Sequence, residues 1–437
     1  MTGHAGFKDR TRLAAARERL LDAVEPVDGT DRVSVAEADG RVLAGAVTPR
    51  RPVPHYERAA MDGYAVVAES TFGSSEHSPA VLDVAEQESD PAETPAVDRR
   101  TAVRVHTGSE LPAGADAVVM VEATETFGDE VEVRESVTVG ENVAPVGEDV
   151  PGDAELYGDG HRLRPSDLGL LRSVGVDAVE AYEPPTVDVI PTGDELVDAD
   201  PDPGEVVETN ALAVSRYVER WGGTATYRDV VPDDRAALRA AVERGLTADL
   251  VVTTGGSSVG ERDLIADVVG DRGTVLEHGL AIKPGHPVGF GVVEDTPVLM
   301  LPGYPVSCIV TAVQLLRPAL KRAGHLPVPE HPRTTATLDR KLASEPGVRT
   351  FARVSLDPGA DTDPGADANA TAGRAEAAAD ADAAAERAER RAVPVRTGGA
   401  GVLSSVTDAD GWVTVPESVE GVDAGERVVV EDWEYRP

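Results

Sequence analysis

Apolar and polar positions along residues 250–272 predict a buried strand, a glycine turn and a helix. Residues 250–254 form a β-branched run without polar alternation, which is typical of a strand buried on both faces. Gly255 and Gly256 interrupt the run, and from Asp263 onward apolar residues recur at helical spacing. This order of elements aims backbone N–H groups at an anion, and the helix dipole adds to the attraction. The alternative is that Asp263 serves only as a helix N-cap, where Asp is favoured.

The same alternation extends over the surrounding chain and predicts an α/β domain. Predicted strands cover residues 187–190, 224–231, 250–254, 275–277, 288–293 and 298–301. Predicted helices cover residues 210–221 and 233–244, and a third ends at residue 323. Strands that alternate with helices form a mostly parallel sheet with ligand loops at the carboxyl ends of strands. We therefore expect loops 192–195, 255–263 and 302–305 to lie at such ends.

The flanking segments predict three further domains around the α/β domain at 185–325. Short β runs fill residues 55–139, which we interpret as a β-rich inserted domain. Helical and mixed segments at 1–54 and 140–184 then form one discontinuous domain. Short strands return from 326 to 437 as a C-terminal β domain, including a predicted strand at 401–406. Within it, residues 357–391 lack large apolar side chains, so this acidic insertion is predicted to be disordered.

Charge composition excludes several classes of partner. The chain has 437 residues and a formal net charge of −37, with 78 acidic and 41 basic residues. A surface this acidic repels nucleic acid and anionic membranes, so neither is an expected partner. The acids are spread along the chain, which favours adaptation to high salt over a specific function. The sequence has no apolar run of membrane-spanning length and no signal-peptide core, and its single cysteine, Cys308, is expected in the core. We therefore expect a cytoplasmic protein.

Two common nucleotide motifs fail at the glycine turn. A P-loop requires Lys after its last glycine, and here Glu261 follows Gly260. A dinucleotide fingerprint requires G-x-G-x-x-G, whereas residues 255–260 read Gly-Gly-Ser-Ser-Val-Gly. Glu277 does lie near the distance expected for a ribose-binding acid, so the Rossmann alternative is weakened and stays open.

Several loop residues are candidates for metal and oxyanion chemistry. The loop acids Asp62, Asp149, Glu195 and Asp263 are hard oxygen ligands of the kind that Mg²⁺ prefers. Lys283, one of only four lysines, suits a point charge on an oxyanion. The alternative for each acid is a helix cap or a solvated surface group. The histidines show no zinc spacing.

Seven motifs in order resemble molybdopterin molybdenumtransferase, the MoeA family that includes the gephyrin E domain. They are Ala60-Met-Asp-Gly-Tyr-Ala-Val66, Thr107-Gly-Ser-Glu-Leu-Pro-Ala-Gly-Ala-Asp-Ala-Val-Val119, Gly147-Glu-Asp149, Thr192-Gly-Asp-Glu-Leu196, Thr254-Gly-Gly-Ser-Ser-Val-Gly-Glu-Arg-Asp263, Lys283-Pro-Gly285 and Leu301-Pro-Gly-Tyr-Pro-Val-Ser307. Each motif alone is weak, whereas seven in order along nearly the whole chain are very specific.

The resemblance implies an elongated homodimer of four-domain protomers, with a MogA-like α/β domain and an active-site cleft shared between protomers. It implies adenylylated molybdopterin and molybdate as substrates, insertion of molybdenum at the dithiolene, and Mg²⁺-dependent release of AMP. By motif, the catalytic set is Asp62, Thr107, Asp149, Glu195, Asp263 and Lys283, of which Asp62, Glu195 and Asp263 are expected to bind the metal. The expected substrate-binding residues are Gly255, Gly256, Ser257, Ser258, Gly260, Pro302, Gly303, Ser404 and Ser405. The adenylyltransferase of the same pathway is a further expected partner.

This sequence departs from the family pattern at four positions. Ala59 stands in place of Ser, and Tyr304 stands where Asn is usual in Pro-Gly-Asn-Pro. His286 replaces a second Lys, and Gly279 replaces another in some members. These changes affect the anion affinity that the family pattern implies, and its pH dependence. Histidine ordinarily titrates near neutrality, so the charge at position 286 depends on pH in a way that a lysine charge does not.

Two other functions remain open from the sequence. The chain segment 254–263 also resembles the adenylyltransferase of the neighbouring step, although that family is a single α/β domain. A non-catalytic scaffold that binds a partner peptide, as the gephyrin E domain does, is the third possibility, and the retained acids argue against it. Molybdate and tungstate are tetrahedral dianions of similar size, so the sequence does not distinguish between them.

Overall fold

The computed structural model describes residues 10–85, 96–256, 263–357, 390–395 and 401–435. The chain forms two compact units: one comprises residues 30–181, and the other comprises the first 29 residues together with residues 182–437. In the described residues, no helix is both long and apolar enough to cross a membrane.

The first helix, α1 (Leu13–Asp22), belongs to the larger unit. Its buried residues are Leu13, Ala16 and Leu20, which recur every three to four positions and so line one face. They join a large hydrophobic core with the α/β region. Residues 1–9, at the start of the predicted discontinuous domain, lie outside the described part of the chain.

The unit of residues 30–181 contains ten strands and one helix longer than a turn among its described residues. The strands are β1 (Thr30–Ser34), β2 (Arg58–Ala59), β3 (Gly63–Val66), β4 (Ala80–Ala85), β5 (Thr101–Val105), β6 (Ala117–Met120), β7 (Thr124–Phe127), β8 (Glu130–Val133), β9 (Val143–Ala144) and β10 (Ala178–Tyr182). The helix is α2 (Pro165–Ser173). Short 3-10 turns cover Val35–Glu37, Ala68–Thr71 and Val121–Ala123. Six strands form the β-rich sheet, in the order β6-β3-β5-β4-β8-β7, while β1 pairs with β10 and β2 pairs with β9.

The α/β region forms one six-stranded sheet. Its strands are β11 (Thr186–Thr192), β14 (Thr224–Tyr227), β15 (Leu250–Gly255), β16 (Gly273–His278), β18 (Gly289–Val293) and β19 (Thr296–Leu301); β12 (Leu196–Val197), β13 (Val206–Val207) and β17 (Ile282–Lys283) are short strands outside this sheet. Its helices are α3 (Asn210–Trp221), α4 (Arg235–Gly245), α5 (Leu264–Arg272), α6 (Pro305–Thr311) and α7 (Arg317–Ala323), with a π-helical segment at Ala312–Leu316 joining the last two.

The strand order is β14-β11-β15-β19-β18-β16. The first four strands are mutually parallel, β18 is antiparallel to β19, and the edge strand β16 is antiparallel to β18. Every residue of β15 is buried, as its apolar run predicted. A mostly parallel sheet with helices is therefore confirmed. Cys308 is fully buried, which confirms its predicted place in the core.

The C-terminal region forms a second sheet within the same unit. Its elements are β20 (Arg333–Leu338), β21 (Leu342–Ala343), β22 (Arg349–Asp357), β23 (Arg391–Pro394), α8 (Ser404–Thr407), β24 (Gly411–Val415), β25 (Gly421–Val422) and β26 (Arg427–Glu431). The sheet order is β17-β22-β23-β20-β26-β24, and a further pairing of β24 with β22 closes five strands into a ring. The short strand β17 of the α/β region thus joins the C-terminal sheet.

Two predictions for the C-terminal region need correction. The predicted strand at 401–406 is a turn followed by α8, because the Ser405 hydroxyl donates to the Val402 carbonyl and Thr407 donates to that of Ser404. The predicted disordered insertion 357–391 begins and ends within ordered strands, because Asp357 and Arg391 lie opposite each other in β22 and β23. Residues 358–389 lie outside the described part of the chain. The division into four domains stays a prediction.

Candidate functional site

Three loops meet at the carboxyl edge of the parallel sheet. Strands β11, β15 and β19 are neighbours and end at Thr192, Gly255 and Leu301. The loops that follow carry the predicted residues Glu195, Gly256 with Asp263, and Pro302 with Gly303. Since ligands of open α/β sheets bind outside the carboxyl ends of strands, this edge is the expected site. The sequence placed these three loops correctly.

Close packing at this edge explains its glycines. Gly255 has φ +105°, and a Cβ on it would lie 2.1 Å from the carbonyl oxygen of Thr192. A Cβ on Gly303 would lie 3.3 Å from Cα of Gly255. The backbones of neighbouring loops therefore approach so closely that no side chain fits between them.

A buried hydroxyl faces the glycine turn. The Thr192 side chain is 1% exposed, and its Oγ1 has no hydrogen-bond partner among the described residues. A Cβ added to Gly256 would lie 2.9 Å from this oxygen, so Thr192 adjoins the turn itself. Ser257, Ser258 and Gly260, the remaining predicted residues of this loop, lie outside the described part of the chain.

Asp263 is fixed by contacts at both carboxylate oxygens. Its Oδ1 accepts the N–H of Ala266 at 3.2 Å, so it caps α5 as expected. Its Oδ2 lies 2.9 Å from Nε2 of His278, on β16. The Asp263 side chain is only 8% exposed, whereas that of His278 is 27% exposed. Sequence reasoning missed His278 as a partner, because no local motif joins it to residue 263.

The loop after β11 is strongly acidic. Asp194 and Glu195 are both exposed, and Asp194 accepts the backbone N–H of Asp233 at 3.0 Å. Burial, together with the negative charges of Asp194 and Glu195, raises the pKa of Asp233. The two exposed carboxylates, Asp194 and Glu195, give this loop its negative charge.

Lys283 lies on β17, an edge strand of the C-terminal sheet. Its Nζ donates to Oε1 of Glu345 at 2.8 Å, and both side chains are exposed. The nearby His286 is partly buried, and burial followed by the charge of Arg10 lowers its pKa. The sequence singled out Lys283 and His286 but gave no indication of Glu345 or Arg10, which belong to distant segments.

Two other predicted residues, Asp62 and Thr107, are in direct contact in the unit of residues 30–181. Oδ1 of Asp62 accepts the backbone N–H of Thr107 at 2.6 Å and its hydroxyl at 2.8 Å. These two hydrogen bonds, the backbone one first, lower the pKa of Asp62. The carboxylate is exposed and remains charged near neutral pH, as a metal ligand must. Asp149 is also exposed in this unit.

The remaining predicted residues lie in the C-terminal region. Ser404 is exposed, while Ser405 is buried and its hydroxyl donates to Val402 at 2.6 Å. Nearby, the unusual Tyr304 is 65% exposed, and a Cβ on Gly401 would lie 3.5 Å from its ring. The exposed ring thus lies between the β19 loop and the segment leading to α8.

The donor chemistry of the predicted metal ligands fits Mg²⁺, since Asp62, Glu195 and Asp263 offer carboxylate oxygens. Across the described ranges of the single chain, no three His, Cys, Asp or Glu side chains are grouped to hold a metal ion. Asp62 belongs to one compact unit, and Glu195 and Asp263 belong to the other. The assignment of these residues stays a prediction.

The fold and these strand-end loops define a multidomain protein with an α/β ligand-binding region. Comparison with known sequences gives three family matches: the MoeA N-terminal region (domain I and II) at residues 11–175, the "Probable molybdopterin binding domain" at 188–322, and the MoeA C-terminal region (domain IV) at 383–433. The chain belongs to the MoeA family, which confirms the resemblance seen in its motifs.

Individual relatives match over most of their length. The molybdopterin molybdenumtransferase of Haemophilus influenzae is 33% identical to this chain, and the match covers 97% of this chain and 98% of the relative. Molybdopterin molybdenumtransferase 2 of Mycobacterium tuberculosis is 36% identical over 78% of this chain and 86% of its own. The crystal structure of a MoeA protein from Pyrococcus horikoshii has a TM-score of 0.76 at 29% identity, covering 97% and 99% of the two chains. The multidomain fold is therefore that of MoeA proteins.

Proposed function

We propose that this protein inserts molybdenum into molybdopterin during molybdenum cofactor biosynthesis. Its substrates would be adenylylated molybdopterin and molybdate, and AMP would be released. The main support for the proposal is that three loops meet at the carboxyl edge of the parallel sheet in a chain of the MoeA family. These loops carry Glu195, Gly255 and Gly303. Curated relatives named molybdopterin molybdenumtransferase support the same reaction.

The loops suit the binding of a phosphorylated pterin. The glycines allow the backbone at the ends of β15 and β19 to approach a phosphate closely. The Thr192 hydroxyl, which has no hydrogen-bond partner in the part of the chain that the structure describes, adds a donor beside the turn. Lys283 would hold the oxyanion through its point charge, and it lies on the exposed side of β17.

Asp62, Glu195 and Asp263 would hold Mg²⁺. When bound, the ion supplies positive charge that offsets the phosphates as the phosphoanhydride bond breaks. The chain prepares two of these carboxylates: Thr107 keeps Asp62 ionised, and Ala266 with His278 fixes the orientation of Asp263. Fixed ligands avoid reorganisation when the charge develops.

We propose a homodimer in which Asp62, Thr107 and Asp149 of one protomer act with Glu195, Asp263 and Lys283 of its partner. The separation of these two sets into different compact units of one chain supports this arrangement. The adenylyltransferase of the pathway would deliver the adenylylated substrate by direct contact. Tungstate is a second candidate oxyanion, since its charge and shape match those of molybdate.

The direct test is to incubate the protein with adenylylated molybdopterin, Mg²⁺ and molybdate and to measure AMP. We expect AMP release that depends on both Mg²⁺ and molybdate. Formation of adenylylated molybdopterin from ATP would instead identify an adenylyltransferase. Absence of both reactions, with a correctly folded protein, would favour a scaffold.

A further inference from the structure

Lys283, the proposed oxyanion-binding residue, already has an anionic partner. Its Nζ donates to Oε1 of Glu345 at 2.8 Å. Glu345 lies between β21 and β22 of the C-terminal region, and the two side chains are 58% and 61% exposed. A carboxylate therefore already takes one of the three N–H donors of this ammonium and offsets its charge.

A second cationic group, Arg10, acts on the same carboxylate. The N–H of Ala281 donates to the carbonyl of Thr11 at 2.9 Å, which places the preceding Arg10 beside the loop that carries Lys283. The hydrogen bond and charge of Lys283, and then the charges of Arg10 and His286, lower the pKa of Glu345. We refer to Arg10 and Lys283 as the cationic cluster.

The cationic cluster is unusual in this chain. The net charge is −37 and only four residues are lysines, so most of the surface repels anions. The positive charges of Lys283 and Arg10 nevertheless both act on one acid, and that acid is exposed.

We propose that Glu345 is a built-in competitor of the oxyanion, because its carboxylate offsets the charge of Lys283 and repels molybdate or another tetrahedral dianion that binds there. This inference rests on the proposed function, because that function assigns the oxyanion to Lys283. Glu345 thereby weakens dianion binding through charge and sets the concentration of oxyanion that the protein requires.

The salt dependence of dianion binding tests whether Glu345 acts through its charge. Exposed ion pairs are screened by salt, and the Debye length falls to about 3 Å at 1 M. The effect of Glu345 should therefore be greatest at low ionic strength and shrink as salt rises.

The experiment measures binding of molybdate, tungstate and sulfate to the full-length protein by calorimetry. We compare the wild type with Glu345→Gln, which removes the charge and keeps the shape. At low salt we expect the variant to bind each dianion roughly three- to tenfold more tightly, from the repulsion between a dianion and a nearby carboxylate. In the AMP assay, KM for molybdate should fall by the same factor while kcat stays unchanged.

A matched control is available in the same region. Lys341 and Asp423 form a second exposed pair, with Nζ and Oδ1 2.7 Å apart and exposures of 64% and 67%. Asp423→Asn removes the same charge from the protein without touching Lys283. We expect this variant to bind dianions as the wild type does.

Equal dianion affinity in the wild type and Glu345→Gln would overturn the proposal, as would an equal gain in Asp423→Asn. Failure of the variant to bind any of the three dianions would also overturn it. If the dianion affinity rises in Glu345→Gln although no variant releases AMP, the competition stands and the proposed function fails. Thermal unfolding of each variant confirms that binding is compared between folded proteins.

Discussion

Oδ2 of Asp263 lies 2.9 Å from Nε2 of His278, so the carboxylate that begins α5 is oriented by a side chain from strand β16. Its other oxygen caps the helix through Ala266. We predict that Asp263→Asn lowers AMP release by about a hundredfold or more while leaving the fold intact. An amide can still cap the helix but lacks the charge needed for Mg²⁺.

The control for this variant is Asp234, which caps α4 by the same contact, with its Oδ1 2.9 Å from the N–H of Ala237. The Asp234→Asn protein should release AMP at the wild-type rate, and its melting temperature should be unchanged. If Asp263→Asn turned over equally well, Asp263 would be a helix cap and nothing more.

A second prediction concerns acid stability and the buried Asp167 of α2. Burial opposes the charge of this carboxylate, but hydrogen bonds from Arg164 and His161 outweigh burial and hold its pKa far below the ordinary 3.8. A depressed pKa stabilises the fold fully above the unfolded value, and the stabilisation is lost as pH falls below about 4. Asp167→Asn should destabilise its unit by about 2 kcal/mol at neutral pH.

Urea unfolding at several pH values tests this expectation. The difference in the free energy of unfolding between wild type and Asp167→Asn should stay constant above about pH 5. It should become smaller in acid, where the wild-type carboxylate becomes protonated. Asp153→Asn changes an exposed carboxylate of the same unit and should leave unfolding unchanged. A difference of constant size down to the lowest pH would show that the charge of Asp167 is not what stabilises the fold.

Residues 358–389 should be dispensable. Asp357 and Arg391 face each other across antiparallel strands, so a short Gly-Asn-Gly turn from Asp357 to Arg390 can close the hairpin. Loop closure depends weakly on length, so stability should change by only about 1–2 kcal/mol. AMP release by the shortened protein should match that of the full chain. Lost activity, or a large drop in melting temperature at matched salt, would show that the segment contacts the folded body.

The proposed dimer predicts complementation between inactive variants. Asp62→Ala and Asp263→Asn protomers, each inactive alone, are mixed and allowed to exchange. In a heterodimer with shared sites, one site collects both substitutions and the other has none. Random exchange makes about half of the dimers mixed, so roughly a quarter of all sites should be intact.

AMP release should therefore recover on mixing to about a quarter of the wild-type rate per site. A pull-down with differently tagged protomers establishes that heterodimers are present. If they are present and activity does not recover, each site is built within one chain.

The sequence predicted the contacts that depend on local order. The apolar run 250–254 identified a strand that is buried throughout, and Asp263 caps the next helix. The motifs also placed Asp62 and Thr107 in one region, but the two hydrogen bonds between them, which join residues 45 positions apart, were not predicted. Local chemistry determined the backbone only where the residues are neighbours in sequence, as at Asp263.

The partners of the site residues could not be predicted in this way. His278 reaches Asp263 only because β16 and α5 pack together, and Glu345 reaches Lys283 only because β17 pairs with β22. Such contacts depend on sheet register between distant segments. The wrong strand at 401–406 has a different cause: serine and threonine hydroxyls donate to nearby carbonyls and stabilise a turn and α8 instead of an extended chain.

The pairing of Ile282 and Lys283 with Arg349 and Thr350 limits how this protein can be divided. The C-terminal sheet takes its edge strand from a loop of the α/β region, so no single cut in the chain separates the two regions into complete pieces. A fragment that ends near residue 325 would expose an unpaired strand, and a C-terminal fragment would lack that edge. Two such fragments, expressed together, should assemble with each other before either forms a stable fold alone.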